Sequence, residues 1–360
     1  MANIVARCHK LLEGEILRRS SQIVSVVGEQ AYIFGGELRP REPRDNDVHA
    51  VSLGSSKLRR VVNKRIPKFD DDTETRYHNL GNITITTVPA TSQSPSPRVG
   101  TAACTLNGKV YLFSGRGGVA MAPIEEQGAV WEFDPTAASW SLILPSDAKT
   151  KAFPVARSYH CMASDGGNTL YLHAGCPEKG RLSDLWAFNL SQRDWTELAP
   201  AFDPPRGGTS IAFTNGKLYR MNGFDGNTEQ GGSVDIYSPE TNSWASHVYS
   251  PDGKAGPTPR SVSCLLPIRL EDRSFLITLF GEHDPSSLGH QGAGKMLSDI
   301  WVFDIRSKKW EKVVVAQGDE LPLARGWFDA DVVGTNAVVV HGGLGESNER
   351  LGDVWTIELS

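Results

Sequence analysis

Residues 281–295 read GEHDPSSLGHQGAGK, and within them stand Glu282, His283, Asp284, Ser286 and His290. Carboxylates and imidazoles this close together are the donors of a hard-to-borderline metal site, in a stretch too rich in glycine to hold a helix. The same composition also describes a polar loop whose acids and histidines never meet. A second set of chemistry-bearing residues recurs along the chain: Arg19, Arg98, Arg157, Arg206, Arg260 and Arg325. A guanidinium donates two parallel hydrogen bonds to a carboxylate or sulfate, so each arginine is either an anion ligand or a structural tie. The elements around these residues have to decide.

Those elements are a sixfold repeat. After each arginine come a short apolar strand, a turn, a second apolar strand and a closing glycine, at Gly36, Gly115, Gly175, Gly223, Gly281 and Gly343. The interval is 17, 17, 18, 17, 21 and 18 residues. Turn chemistry agrees: LNGK and TNGK place Asn-Gly between two β-rich runs, the strongest short hairpin signal. A variable loop and a third strand follow each glycine (NDVHAV, GAVWEFD, SDLWAFN, GSVDIYS, SDIWVFD, GDVWTIE), and in four repeats a fourth strand is built around Trp140, Trp195, Trp244 or Trp310. Six units of four antiparallel strands predict an all-β chain, a six-bladed β-propeller forming one domain over residues 1–360.

The last repeat stops after its third strand, and a segment within residues 2–12 is available to supply the fourth. An N-terminal strand closing the last blade would fasten the ring and remove an exposed sheet edge. The first repeat carries a charged insertion, residues 64–81, expected as a surface excursion, with its fourth strand at 82–89.

Composition narrows the function classes. A net charge of −5 without a basic stripe argues against nucleic acid as a partner. No apolar run approaches membrane-span or signal-peptide length, so no membrane partner is expected. Five scattered cysteines without a CxxC pair suit a reducing compartment, and a cytoplasmic location is the expectation. No P-loop, dinucleotide fingerprint or GxSxG elbow is present.

The double glycine and downstream tryptophan resemble the kelch repeat. Beyond the repeat, RRSSQIVSVVGEQAYIFGGELRPREPRDNDVHAV, ARSYHCMASDGGNTLYLHAG, RGGTSIAFTNGKLY and RGWFDADVVGTNAVVVHGGLGESNERLGDVW are similar to successive segments of the plant specifier proteins. These nitrile-specifier, epithiospecifier and thiocyanate-forming kelch propellers redirect glucosinolate breakdown. The resemblance places GEHDPSSLGHQGAG at the family's iron loop, Glu-x-x-x-Asp-x-x-x-His, which implies Fe(II) on Glu282 and His290. The family's aspartate position falls on Ser286, a poor iron ligand, with Asp284 two residues earlier as the reserve. The resemblance also implies that Arg98 and Arg157 hold the sulfate of an anionic substrate and that Trp327 walls the pocket. The implied activity is a lyase or isomerase type of rearrangement, or the steering of a reactive anion, on a small molecule supplied by a partner hydrolase.

Each site residue has a structural alternative. Arg206, Arg260 and Arg325 read as ties between blades, and the four tryptophans as packing. His160 and His341 lie in strand patterns, as core or channel histidines. Glu37, Asp45 and Asp47 read as braces of first-blade loops, and Asp353 as an acceptor for backbone amides. A non-catalytic scaffold that offers its loops, the 64–81 insertion above all, to a protein partner is the alternative to an enzyme.

Overall fold

Hairpin chemistry and period-two apolar runs build six antiparallel sheets around one axis. The computed structural model describes residues 3–54 and 83–360. Blade one is Ser20–Val27, Gln30–Arg39, Val48–Ser52 and Ile85–Val88, and blade two is Ala102–Leu106, Lys109–Phe113, Val130–Asp134 and Ser139–Ile143. Blade three is Cys161–Ser164, Thr169–Gly175, Leu182–Asn189 and Asp194–Leu198, followed by blade four, Ser210–Thr214, Lys217–Met221, Ser233–Ser238 and Ser243–Val248. Blade five is Cys264–Leu270, Arg273–Leu279, Ile300–Asp304 and Lys309–Lys312. The insertion 64–81 lies outside the described residues.

Blade six takes Asp329–Val333, Ala337–His341 and Asp353–Leu359 from the end of the chain and Val5–Glu13 from its beginning. The N-terminal strand pairs antiparallel with Asp353–Leu359, from Ala6 opposite Leu359 to Glu13 opposite Asp353. The expected closure is therefore present, one residue longer at its end than the sequence range. No helix among the described residues is long and apolar enough to cross a membrane.

Apolar side chains pack between blades, with one buried cluster at each of the six blade interfaces. The fourth-strand tryptophans reach across these interfaces: Trp140 lies 5.0 Å from Phe34 and Trp195 5.6 Å from Phe113, ring centre to ring centre. His160 and His341 are buried in the same layers, where burial pushes both down to about 3 and keeps them neutral.

Two rings of backbone hydrogen bonds tie the blades at one end of the channel. Each closing glycine donates to the carbonyl of the next blade's repeat arginine, from Gly36 to Arg98 at 2.9 Å round to Gly343 to Arg19 at 2.9 Å. These glycines sit at φ from +86° to +112°, where a side chain is disfavoured; at Gly175 an added Cβ would lie 2.7 Å from the Cβ of His160. Nearer the axis, the residue two after each arginine forms a second ring. Ser21, Gly100, Tyr159, Gly208, Val262 and Trp327 each accept an amide bond from the next, at 2.7–3.1 Å, until the circle closes. All six adopt left-handed conformations, with φ between +45° and +60°.

Candidate functional site

The inner strands of all six blades enclose a central cavity of about 610 Å³. At the end carrying the repeat arginines, the inner ring presents a narrow mouth with two large aromatics, Tyr159 and Trp327. Trp327 lines the cavity. Burial pushes the Tyr159 phenol up to about 12, with Glu37 adding to the shift. The hydroxyl is therefore neutral at ordinary pH.

Arg98 and Arg157 are not at this mouth with open forks. Both are fully buried, and both are already bidentate: Arg98 to Glu126 at 2.9 and 3.1 Å, Arg157 to Asp184 at 2.6 and 2.8 Å. Each also donates Nη1 to the carbonyl before its blade's closing glycine. Arg260 and Arg325 make the same pattern with Asp299 and Asp353, so the geometry of Arg98 and Arg157 is that of the structural ties. Asp353 is thereby corrected from an acceptor for amides to the partner of Arg325 and of the Trp355 indole. In blade one Asp45 pairs with Arg19, Asp47 accepts the Ala90 amide, and Glu37 pairs with Arg350.

Two other arginines sit near the mouth, and the sequence reading passed over them. Arg116 directly follows the closing glycine of blade two; it donates to the Ser158 hydroxyl at 3.1 Å and to the carbonyls of Met121 and Pro177. Arg181, at the start of blade three's third strand, lies over the Phe224 ring at 5.1 Å, and its Nε has no partner among the described residues. Both guanidiniums act on Cys176: burial raises the thiol, and Arg181 and Arg116 pull it back. The legible signal was position, since a charged residue beside a closing glycine falls on a loop at the channel end.

In the loop 281–295 the candidate ligands part company. Glu282 is buried, accepts the Gly294 amide at 3.0 Å, and is pushed up to about 7 by burial. Asp284 faces solvent, with His283 Nε2 at 3.5 Å. The Ser286 hydroxyl accepts the Leu288 amide within its own turn. The His290 side chain lies outside the described residues. Glu229 from blade four joins Glu282: burial and the nearby Glu282 charge push it up to about 8, with the Ser261 hydroxyl pulling it back, and both its oxygens are buried without a well-formed hydrogen bond among the described residues.

Deeper in the cavity are two acids that alternate with apolar residues in FDADVV. Asp329 and Asp331 of blade six's innermost strand accept the Val24 and Val26 amides of blade one at 2.6 and 2.7 Å. Burial pushes them up to about 7 and about 6.

The family described as the KLHDC2/KLHL20/DRC7 Kelch-repeats domain matches residues 21–281. The chain belongs to this kelch-repeat family. Across nearly its whole length this kelch propeller is also similar to a protein of Thlaspi arvense named N-(sulfonatooxy)prop-2-enimidothioate sulfolyase, with 26% identity over 94% of this chain and 91% of the relative. The relationship to the plant specifier proteins is thus present at modest identity. A leucine-zipper-like transcriptional regulator 1 homolog of Drosophila melanogaster is 23% identical over 75% of the chain, which spans 27% of that protein. The solved structure titled "Structure of YjhT" superposes with a TM-score of 0.67 at 14% identity, covering 96% of this kelch chain and 95% of the other, and so shares its fold.

Fe(II), expected from the specifier resemblance, can be set against these groups. Among the described residues no three His, Cys, Asp or Glu side chains are gathered closely enough to hold a metal ion. The donor chemistry fits at Glu282 and Glu229, two buried carboxylates with no basic side chain acting on either, the second held only weakly by the Ser261 hydroxyl. It does not fit at Asp284 or Ser286, which are turned to solvent and to the loop's own backbone.

Proposed function

We propose that this kelch propeller is a lyase that acts at the arginine-side mouth on a small sulfated anion with an apolar tail. The observation that carries the reading is the arrangement of Arg116 and Arg181 about Cys176, beside Tyr159. The likeness to the Thlaspi arvense sulfolyase supplies the reaction class. In an N-sulfonatooxy thioimidate the N–O bond breaks and sulfate departs with its electron pair. The pair that bonded the substituent to the imidate carbon becomes the third bond of C≡N, and the thiolate sulfur captures that substituent, so no oxidant or reductant is needed. Charge then gathers on the departing oxygen, where guanidinium donors fixed at the mouth stabilise it. Tyr159 and Trp327 would hold the tail, and the neutral phenol can donate a hydrogen bond without adding charge. The roles expected of Arg98 and Arg157 pass to Arg116 and Arg181, which pair with no carboxylate; Arg116 is held by the Ser158 hydroxyl and two backbone carbonyls and would offer its remaining N–H groups.

Glu282 and Glu229, with His290, would hold Fe(II), which when bound supplies a Lewis acid for a soft or borderline donor atom. Protein reconstituted without air is expected to bind about one Fe(II) per chain, a single open site of this donor class. Glu282→Gln and His290→Ala should lower that stoichiometry, and Ser286→Ala should leave it unchanged. Equal iron content in all four proteins would remove the metal from the reading.

The reaction is tested by following sulfate release from an N-sulfonatooxy thioimidate. Arg116→Gln and Arg181→Gln are each expected to lower kcat/KM by about tenfold to a hundredfold, the cost of one charge-assisted contact to the developing anion. Unchanged release in both variants overturns the assignment. A scaffold role draws on the charged insertion 64–81; partner capture lost on deleting it but kept in the arginine variants favours that role.

A further inference from the structure

Five of the six repeat arginines close on a carboxylate of their own blade, and the sixth does not. Arg19, Arg98, Arg157, Arg260 and Arg325 are bidentate to Asp45, Glu126, Asp184, Asp299 and Asp353. Arg206 donates Nε to the Pro204 carbonyl at 3.1 Å and Nη1 to the Asn222 carbonyl at 3.2 Å. Its Nη2 has no hydrogen-bond partner among the described residues; the residue is 5% exposed, and Nη2 reaches solvent rather than being sealed in the interior.

The strand register shows what is missing. In blades three, five and six the acid stands two residues before a tryptophan of the third strand: Asp184 before Trp186, Asp299 before Trp301, Asp353 before Trp355. Those tryptophans pair with Leu172, Thr278 and Val340, each three residues before its closing glycine. In blade four the matching pair is Arg220 with Asp235, so the acid's position falls on Ser233. The residues before it are Gly231 and Gly232, which offer no carboxylate and lie against Pro259 and Pro251.

Neighbouring acids are committed elsewhere. Asp235 takes Nε and Nη2 of Arg220 and the Ser246 hydroxyl, and Asp225 caps its own turn through the Asn227 and Thr228 amides. Burial and the adjacent Arg220 lower Arg206 to about 10, which still leaves it charged at neutral pH. Asp235 and Asp225 act on Arg206 only from a distance and neither bonds its fork, so a carboxylate from solution would supply the missing close partner.

We infer that the notch left by Ser233 in blade four binds the carboxylate of a small organic acid, clamped by Arg206 as the other five blades clamp their own. A planar two-oxygen group matches the Nη1–Nη2 fork that five native carboxylates already occupy, and the near-complete burial of Arg206 admits only a slender one. This site shares no side chain with the proposed lyase mouth or with the iron loop, although Gly207, next to Arg206, lies against Cys176.

Acetate is the probe. In saturation-transfer NMR at neutral pH its methyl signal is expected to respond to the wild-type protein. The melting temperature should also rise in acetate relative to chloride and sulfate at equal ionic strength. Ser233→Asp supplies the missing acid; it is expected to raise the melting temperature in chloride by a few degrees and to abolish both acetate effects. Arg206→Lys keeps the charge without the fork and should weaken acetate binding severalfold, which decides the matter should Ser233→Asp not fold. Undiminished acetate binding in the variants that fold, or sulfate acting as well as acetate on the wild type, overturns the site. Sulfate release by Ser233→Asp is expected to match wild type, so this result and the lyase result are separable.

Discussion

Two classes of arginine in this chain differ in what surrounds the same side chain. Arg157 is fully buried against Asp184 and a backbone carbonyl, whereas Arg116 and Arg181 sit on loops with carbonyl, hydroxyl and aromatic neighbours. Removing one partner of a buried bidentate pair strands the other, so Arg157→Met is expected to cost about 3 kcal/mol of stability. Arg116→Gln should cost much less stability while lowering turnover. Thermal unfolding measured beside kcat/KM separates the two; an Arg157→Met protein with wild-type melting and reduced turnover would return that residue to the site. The sequence showed Arg98 and Arg157 clearly because they recur, and recurrence is the mark of what every blade needs. Arg116 follows a closing glycine but has no arginine counterpart in the other blades, and Arg181 lies in a loop of unequal length, so recurrence pointed to neither. Glu229 was hidden for a different reason: its importance comes from Glu282, which lies 53 positions further along the chain and meets it only after blades four and five pack.

At the scale of single strands, the seam between blades six and one is pH-sensitive. The inner edge of Ser20–Val27 has amides with no strand beside them, and Asp329 and Asp331 accept two of these. Burial raises both acids in the folded state, to about 7 and about 6, above an unfolded aspartate near 3.9. The folded chain therefore holds more protons than the unfolded chain between about pH 4 and pH 7, and stability falls as pH rises through that window. Both side chains border the open cavity and are partly exposed, so the loss is on the order of 2 kcal/mol, smaller than the full shifts would give. Asp353 works in the opposite sense: burial pushes it up, but Arg325 overrides this and holds it below the usual range, which costs stability as pH falls below about 4. Asp329→Asn keeps an acceptor for the Val24 amide without the charge. It is expected to flatten the decline in melting temperature from pH 5 to pH 8, and an unaltered pH profile would remove this pair as its source. The alternation FDADVV announced a strand, but only the neighbouring blade shows why acids occupy its inner face.

For the whole molecule, the ring depends on joining two ends of the chain. Strand count, the absent fourth strand of the last repeat and the spare N-terminal segment were all legible before any geometry, because a propeller leaves an unpaired edge unless something covers it. The structure adds the reason the closure holds. Ala6 and Cys8 enter the same buried cluster as Ile357 and Leu359, and the Val5 and Ser360 backbones bond to each other in both directions at 3.0 Å. On the outer side, Val314–Val315 pairs parallel with Val5 and Ala6, so the closing strand is held from both edges. Cutting residues 1–13 would expose the whole length of Asp353–Leu359 as an edge and open the apolar layer beneath it. The two circles of inter-blade hydrogen bonds pass through Arg19, Ser21, Trp327 and Gly343 at this same seam, so loss of the clasp loosens the mouth as well as the rim. The truncated chain is expected to lose cooperative unfolding and to associate through the bare edge, measured by calorimetry and light scattering. Adding the excised 1–13 segment as a peptide should restore a monomer, because the missing strand carries both the backbone partners and the side chains that fill the cluster. A truncated chain that stays monomeric and melts like the full-length protein would show that the remaining three strands close the ring unaided.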